Sequence, residues 1–259
     1  MTVDYLQVIR EESGRFAEAA SAASPDDRVP SCPDWSVADL VWHLAEVQYF
    51  WASILESLLD DPSGVLDLER PGTDHLTAVF REQHDRLVAA LEMRGDDEPC
   101  WSWASDRSVG FVRRRQAHEA AIHRVDAELA AGLPVTPLDP ALAEDGIQEL
   151  FDHMVGGAPP DWATVTPEGT FVVLESDSGR VWAGEFARFV GTSPRSGKAY
   201  DMDDVQLRTG YPPGTTVIRG SADVLDRWLW GRADLGELTV GGDPAVARRL
   251  RACMADSTR

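Results

Sequence analysis

The sequence predicts an α+β protein in two parts: an antiparallel four-helix bundle over residues 1–137, then a smaller α+β domain over residues 138–259. Three observations predict it. Apolar residues recur at helical spacing as far as about Gly132, the run Leu133-Pro-Val-Thr-Pro137 interrupts the pattern, and the sequence beyond it turns to alternating apolar and polar residues. At 259 residues the chain is also long for one core and comfortable for two.

The first predicted helix is an amphipathic segment from about Tyr5 to Ala23. Two prolines keep Val29-Pro-Ser-Cys-Pro-Asp34 from being helical throughout, so this run is expected to be a loop. Ser36, with Asp39 three residues on, resembles a capping box and opens a second helix over about Val37 to Leu59. Leu76, Val79, Phe80, Leu87 and Leu91 mark a third helix from about His75 to Met93. The fourth runs from about Ser108 to Gly132, a residue suited to the left-handed conformation that closes helices.

In the second half a helix from about Pro140 to Met154 precedes a hairpin. Its strands are Thr170-Phe-Val-Val-Leu-Glu175 and Arg180-Val-Trp-Ala-Gly-Glu-Phe186, joined by Ser176-Asp-Ser-Gly179. Thr215 to Arg219 reads as a strand leading into a helix over about Ala222 to Trp230. Leu238-Thr-Val240 leads into another over about Pro244 to Met254. The sequence contains no internal repeat, low-complexity tract or Gly-rich phosphate loop.

A formal charge of −20 opposes nucleic-acid phosphates and anionic lipid, so neither is expected as a partner. No stretch approaches the roughly 20 apolar residues that span a bilayer, and Met1 to Arg10 lacks the basic start and apolar core of a signal peptide. A cytoplasmic protein is expected. Cys32, Cys100 and Cys253 are odd in number and scattered, which points to reduced thiols rather than a disulfide framework or a Cys-rich zinc finger.

The chemistry concentrates on two helices. On the second, a turn of about 100° per residue aligns Leu40, Leu44, Val47, Trp51, Ile54 and Leu58, with His43 on the flank of that face, within roughly 20° of Ile54. On the fourth, the apolar stripe of Phe111, Ile122, Val125 and Leu129 is bordered by Arg115, Glu119, His123 and Asp126. Arg113, Arg114, Arg124 and Glu128 fall on the other side, where solvent is expected. Glu119 and His123, four residues apart, share one helical face and can hold one cation between them. His118 lies roughly 140° around the helix from His123 and is expected outside such a site. His118-Glu-Ala-Ala-Ile-His123 also has one residue too many for a His-Glu-x-x-His protease site.

Each feature alone has a plain structural explanation. A lone core-edge histidine is ordinarily satisfied by one hydrogen bond, and Glu-x-x-x-His pairs are common on helix surfaces. Together, two His and one carboxylate leave a coordination position open, which suits catalytic zinc and could also take iron or nickel. Asp126 could orient a ligand imidazole or pair with Arg115 or Arg124. Cys32 reads as a loop residue, and Trp101 and Trp103 as packing at a bundle end rather than the lining of a pocket. Arg219, Arg227 and Arg232 could supply positive charge to an anionic substrate, against a default of solvation.

The segments Val29-Pro-Ser-Cys-Pro-Asp-Trp-Ser-Val-Ala-Asp-Leu-Val-Trp-His43 and Arg115-Gln-Ala-His-Glu-Ala-Ala-Ile-His-Arg-Val-Asp126 resemble the two signature stretches of the mycothiol-dependent maleylpyruvate isomerase family, a branch of the DinB-like metal-binding helical bundles. Gly220-Ser-Ala-Asp-Val-Leu-Asp-Arg-Trp-Leu-Trp-Gly-Arg232, followed by Gly241-Gly-Asp243, is similar to that family's C-terminal domain. The resemblance implies that His43, Glu119 and His123 occupy the family's metal-ligand positions, that the metal is Zn2+, and that the thiol cofactor is mycothiol, an actinobacterial thiol. It also implies an arginine of the C-terminal domain in activity, at a position the motif does not specify.

The expected protein is thus a zinc- and thiol-dependent enzyme. A metal-activated thiolate would add to a small electrophile or unsaturated acid, giving cis-trans isomerisation or S-transfer. The alternative is a non-catalytic metal-containing protein that binds a small ligand or serves regulation.

Overall fold

A computed structural model describes residues 3–257, and the chain divides into two compact units, one ending at Pro137 and the other beginning at Leu138. In the first unit, α1 (Tyr5–Ala22) starts where the Asp4 side chain accepts the backbone N–H of Gln7. Next comes α2 (Val37–Ser57), held by a complete capping box: Ser36 Oγ accepts the Asp39 N–H at 3.2 Å, and the Asp39 carboxylate accepts the Ser36 N–H at 2.9 Å. Those hydrogen bonds from Ser36, with the Arg70 guanidinium, hold the Asp39 carboxyl at about 2. The helices α3 (Leu76–Glu92) and α4 (Val109–Ala130) complete the unit, and Gly132, at φ 65°, closes α4 in the left-handed region.

Helix α4 packs along α1, and α2 along α3. Ile9, Phe16, Leu40, Leu44, Ile54, Phe80 and Leu87 are all buried between them, with the Phe16 and Phe80 rings 5.0 Å apart. The Val29–Asp34 run differs from expectation. It forms a small antiparallel hairpin in which β1 (Arg28–Val29) pairs with β2 (Cys32–Ser36). Pro30 and Ser31 make the turn between the paired Val29 and Cys32, so Pro30 falls where no ladder donor is needed.

The expectation of a solvated side on α4 is also wrong. Arg124 is 0% exposed and Glu128 only 6%. The guanidinium donates to Glu12 on α1 at 2.7 Å, to Glu128 at 2.7 Å and to the Thr136 carbonyl at 2.6 Å. Glu128 in turn accepts the Thr136 N–H and hydroxyl, which ties the chain after α4 back onto that helix. Buried charge is tolerable here because it is paired and hydrogen-bonded on several sides.

The second unit opens with α5 (Pro140–Glu149), which runs on into a single π-helical turn at Leu150–Met154. Five strands follow: β3 (Ala163–Ser176), β4 (Val181–Thr192), β5 (Ala199–Arg208), β6 (Thr216–Gly220) and β7 (Thr239–Gly241). Their spatial order is β5-β4-β3-β6-β7, antiparallel except for the β3–β6 pair. Helices α6 (Ala222–Leu229) and α7 (Pro244–Ser257) pack on the sheet. Alternate strand residues such as Val172, Leu174, Trp182 and Phe186 meet Leu225, Trp228 and Leu250 in one core.

Strand β5 has no counterpart in the sequence-based expectation. Asp201, Asp203 and Asp204 depress its apparent β-propensity, but as an edge strand it keeps its charges partnered. Arg188 bonds Asp201 and Asp203 at 2.7 and 3.0 Å, Arg249 bonds Asp203 at 2.8 Å, and Asp204 accepts the Gly156 N–H. Among the described residues, no helix is long and apolar enough to cross a membrane.

Candidate metal centre

The capping box fixes where α2 begins and therefore the rotational phase of His43, two turns in. The four-residue spacing on α4 stacks Glu119 and His123, and contact between the two helices brings all three together. One ligand atom from each of His43, Glu119 and His123 lies within 4.8 Å of the others. Glu119 Oε1 is 3.2 Å from His43 Nε2 and 3.1 Å from His123 Nε2. Tetrahedral zinc with bonds of about 2.0–2.1 Å separates its ligand atoms by roughly 3.3–3.4 Å. The donor set and its spacing fit a divalent cation.

The neighbours hold these groups in place. His123 Nδ1 donates to Asp126 Oδ2 at 2.9 Å, which leaves Nε2 as the atom facing Glu119. Asp126 is fully buried, and its other oxygen accepts the Ser31 hydroxyl from the β1–β2 turn. Arg115 donates to Glu119 Oε2 at 2.8 Å. The Trp35 ring lies 4.7 Å from that of His43 and 6.2 Å from that of His123.

Charge distribution follows from this packing. Burial would raise the Glu119 carboxyl, but the His123 charge, hydrogen bonds from His123 and His43, and the Arg115 guanidinium hold it well below the usual carboxylate range. Burial likewise disfavours imidazolium at His123, yet Glu119 and Asp126 raise that group to about 9. Positive charge is thus favoured at the point where a cation would replace the proton on Nε2.

His43 also lines a cavity of about 370 Å³. Helix α2 supplies Glu46, Val47, Tyr49, Phe50 and Trp51 to its wall, and the segment before α3 supplies Val65, Leu66, Asp67 and Leu68. Trp101 backs the aromatic part of that wall, 5.6 Å from Phe50 and 5.8 Å from Trp51. Trp103 is 47% exposed and packs edge-on to Phe111.

His118 is buried against the Tyr5 ring, apart from the cluster. The three arginines singled out from sequence lie in the C-terminal unit. Arg227 is buried and bidentate to Asp223 at 3.0 and 2.9 Å, Arg232 bonds the Trp230 carbonyl, and Arg219, half exposed, pairs with Glu175 at 2.8 Å. Sequence reasoning missed Trp35, Ser31 and the wall formed by residues 65–68. Trp35 stands directly before the Ser36 cap, which was the available signal. Ser31 and the wall reach the site through contacts far apart in sequence.

Cys32, on β2, is partly buried, while Cys100 and Cys253 are buried and burial pushes their thiols up to about 11 and about 12. Brief alkylation of the native protein at pH 8 should therefore leave Cys100 and Cys253 unmodified, as peptide mass analysis would show. Rapid labelling of either would mean its core is open.

Comparison with known proteins places these observations in context. The family described as "Mycothiol maleylpyruvate isomerase N-terminal domain" matches residues 6–128, and "MDMPI C-terminal domain" matches residues 141–249. Two solved structures share the fold: the mycothiol-dependent maleylpyruvate isomerase and a histidine-to-alanine variant of it. Each is 13% identical to this chain over 92% of both chains, with TM-scores of 0.57 and 0.58 respectively. No curated protein sequence matches.

Proposed function

The chain belongs to the mycothiol-dependent maleylpyruvate isomerase family, and from that premise we propose that it is a metal-dependent enzyme that uses a low-molecular-weight thiol, mycothiol, against a small electrophile. The observation that carries the reading is the position of His43, which belongs to the His43–Glu119–His123 cluster and to the wall of the cavity beside it.

In this reading His43, Glu119 and His123 hold one divalent cation, zinc first among them. Asp126 keeps the proton of His123 on Nδ1, so that Nε2 offers its lone pair, and Arg115 anchors the second oxygen of Glu119. Three protein ligands leave a position for an exogenous donor. A cation held there would lower the pKa of a thiol, whose sulfur could add reversibly to an unsaturated acid for cis-trans isomerisation or irreversibly to another electrophile for S-transfer. Trp35 packs beside both imidazoles and so limits their rotation.

The test is elemental analysis of the purified protein joined to an assay with and without mycothiol. About one metal per chain and thiol-dependent consumption of an electrophile are expected. Cys32→Ser should retain that turnover, because the reactive sulfur is diffusible. Loss of turnover in Cys32→Ser with metal retained would assign the nucleophile to the protein. Bound metal with no thiol dependence for any electrophile would favour a non-catalytic binding protein.

A further inference from the structure

The cavity beside His43 carries a charge pattern at odds with an anionic substrate. Among the described residues its charged lining is Glu46 and Asp67, with no Lys or Arg. The Arg86 guanidinium lies 5.2 Å over the Tyr49 ring, and Glu56 already holds it in a two-point pair at 3.1 and 2.9 Å. The protein as a whole, at −20, adds field of the same sign. A dicarboxylate entering here would meet two carboxylates of the wall, with a cation held at His43, its charge already offset in part by Glu119, as the opposing charge.

Apart from His43 and Tyr49, the remaining lining residues are apolar or aromatic. Val47, Phe50, Val65 and Leu68 all line the cavity, and Leu66 at the same site is 78% exposed. An exposed leucine beside an aromatic wall gains most when an apolar molecule covers it. A volume of about 370 Å³ is at the small end of the range for small-molecule pockets.

We propose that this cavity selects an uncharged, largely apolar electrophile and discriminates against dicarboxylates, with Glu46 and Asp67 as the specificity-determining residues. The proposal rests on the reading above in taking the cavity as the electrophile's site. It places the protein on the S-transfer side of that reading, since a neutral conjugated carbonyl can take the sulfur at its β-carbon, the C=C π pair moving to the α-carbon and the proton lost by the thiol ending there, without a second carboxylate to be recognised.

The experiment compares an isosteric pair that differs only in charge, cinnamamide and cinnamate, by calorimetric titration of the zinc-loaded full-length protein. The amide should bind about tenfold tighter or more, the scale expected when two partly screened like charges stand near an anion. The double variant Glu46→Gln and Asp67→Asn should narrow the gap to within about threefold, chiefly by strengthening cinnamate. Both positions are exposed, so the fold should tolerate the change. Equal or tighter cinnamate binding, an unchanged gap in the double variant, or no binding of either compound overturns the proposal. Thiol-dependent turnover of maleamide and maleate is measured in parallel. No turnover of either, with the charge preference intact, supports the charge selection and counts against turnover of maleyl compounds alone. Turnover that favours maleate overturns the selection and leaves the enzymatic reading standing.

Discussion

Replacing Glu119 by Gln is expected to strip the protein of bound metal and to lower thiol-dependent turnover by about 100-fold or more while the helices remain folded. Glu119 is the hub of the cluster, because one of its oxygens faces both imidazoles and the other is held by Arg115. Glutamine has the same size but is neutral, and its amide nitrogen cannot accept or ligate. Loss of a hydrogen-bonding partner one shell out from a metal typically costs about 10–100-fold in affinity or activity, and loss of a charged ligand should cost at least as much. Zinc per chain after dialysis against a chelator, with circular dichroism alongside, checks the result. Asp126→Asn should be milder, about tenfold in affinity with metal regained at saturating zinc, because Asp126 orients His123 and is not itself one of the three ligands. Wild-type metal content in Glu119→Gln would remove the proposed centre altogether.

The second large effect concerns stability. Arg124→Met should destabilise the N-terminal unit by about 3–5 kcal/mol, since it leaves Glu12 and Glu128 buried beside each other without their shared cation. For a unit of this size that corresponds to a fall in thermal midpoint of about 10–20 °C, readable by calorimetry. Neutralising the partners as well, with Glu12→Gln and Glu128→Gln added, should restore a substantial part of the loss, because the cost lies mainly in two buried carboxylates, of which Glu12 keeps the half-exposed Arg15 at 3.0 Å and Glu128 its bonds from Thr136, and less in the missing pair. A shift under about 3 °C in Arg124→Met would mean water reaches the network.

Much of the candidate site was legible because its determinants are local. Ser36 and Asp39 set the start of α2 by contacts three residues apart, and Glu119 and His123 stack because helical geometry requires it. His43 could be placed on the inner flank of α2 from periodicity alone. Trp35, Ser31 and the residue 65–68 wall were not readable in that way, since each comes to the cluster from a different segment. The aspartate-rich β5 was hidden for a related reason: its charges look unfavourable until Arg188 and Arg249 are brought beside them.

By itself the sequence determined the period and limits of the main helices, the change from helical to alternating pattern after Pro137, and the pairing of Glu119 with His123, because all of these depend on neighbours within a turn or two of chain. Tertiary structure decided which face of α4 meets solvent. Arg124 lies on what periodicity marks as the outer side, yet it is buried because Glu12, 112 residues earlier, supplies a carboxylate at 2.7 Å. Whether a charge is inside or outside depends on the free energy of its partners, and those partners are chosen by packing between elements rather than by spacing within one.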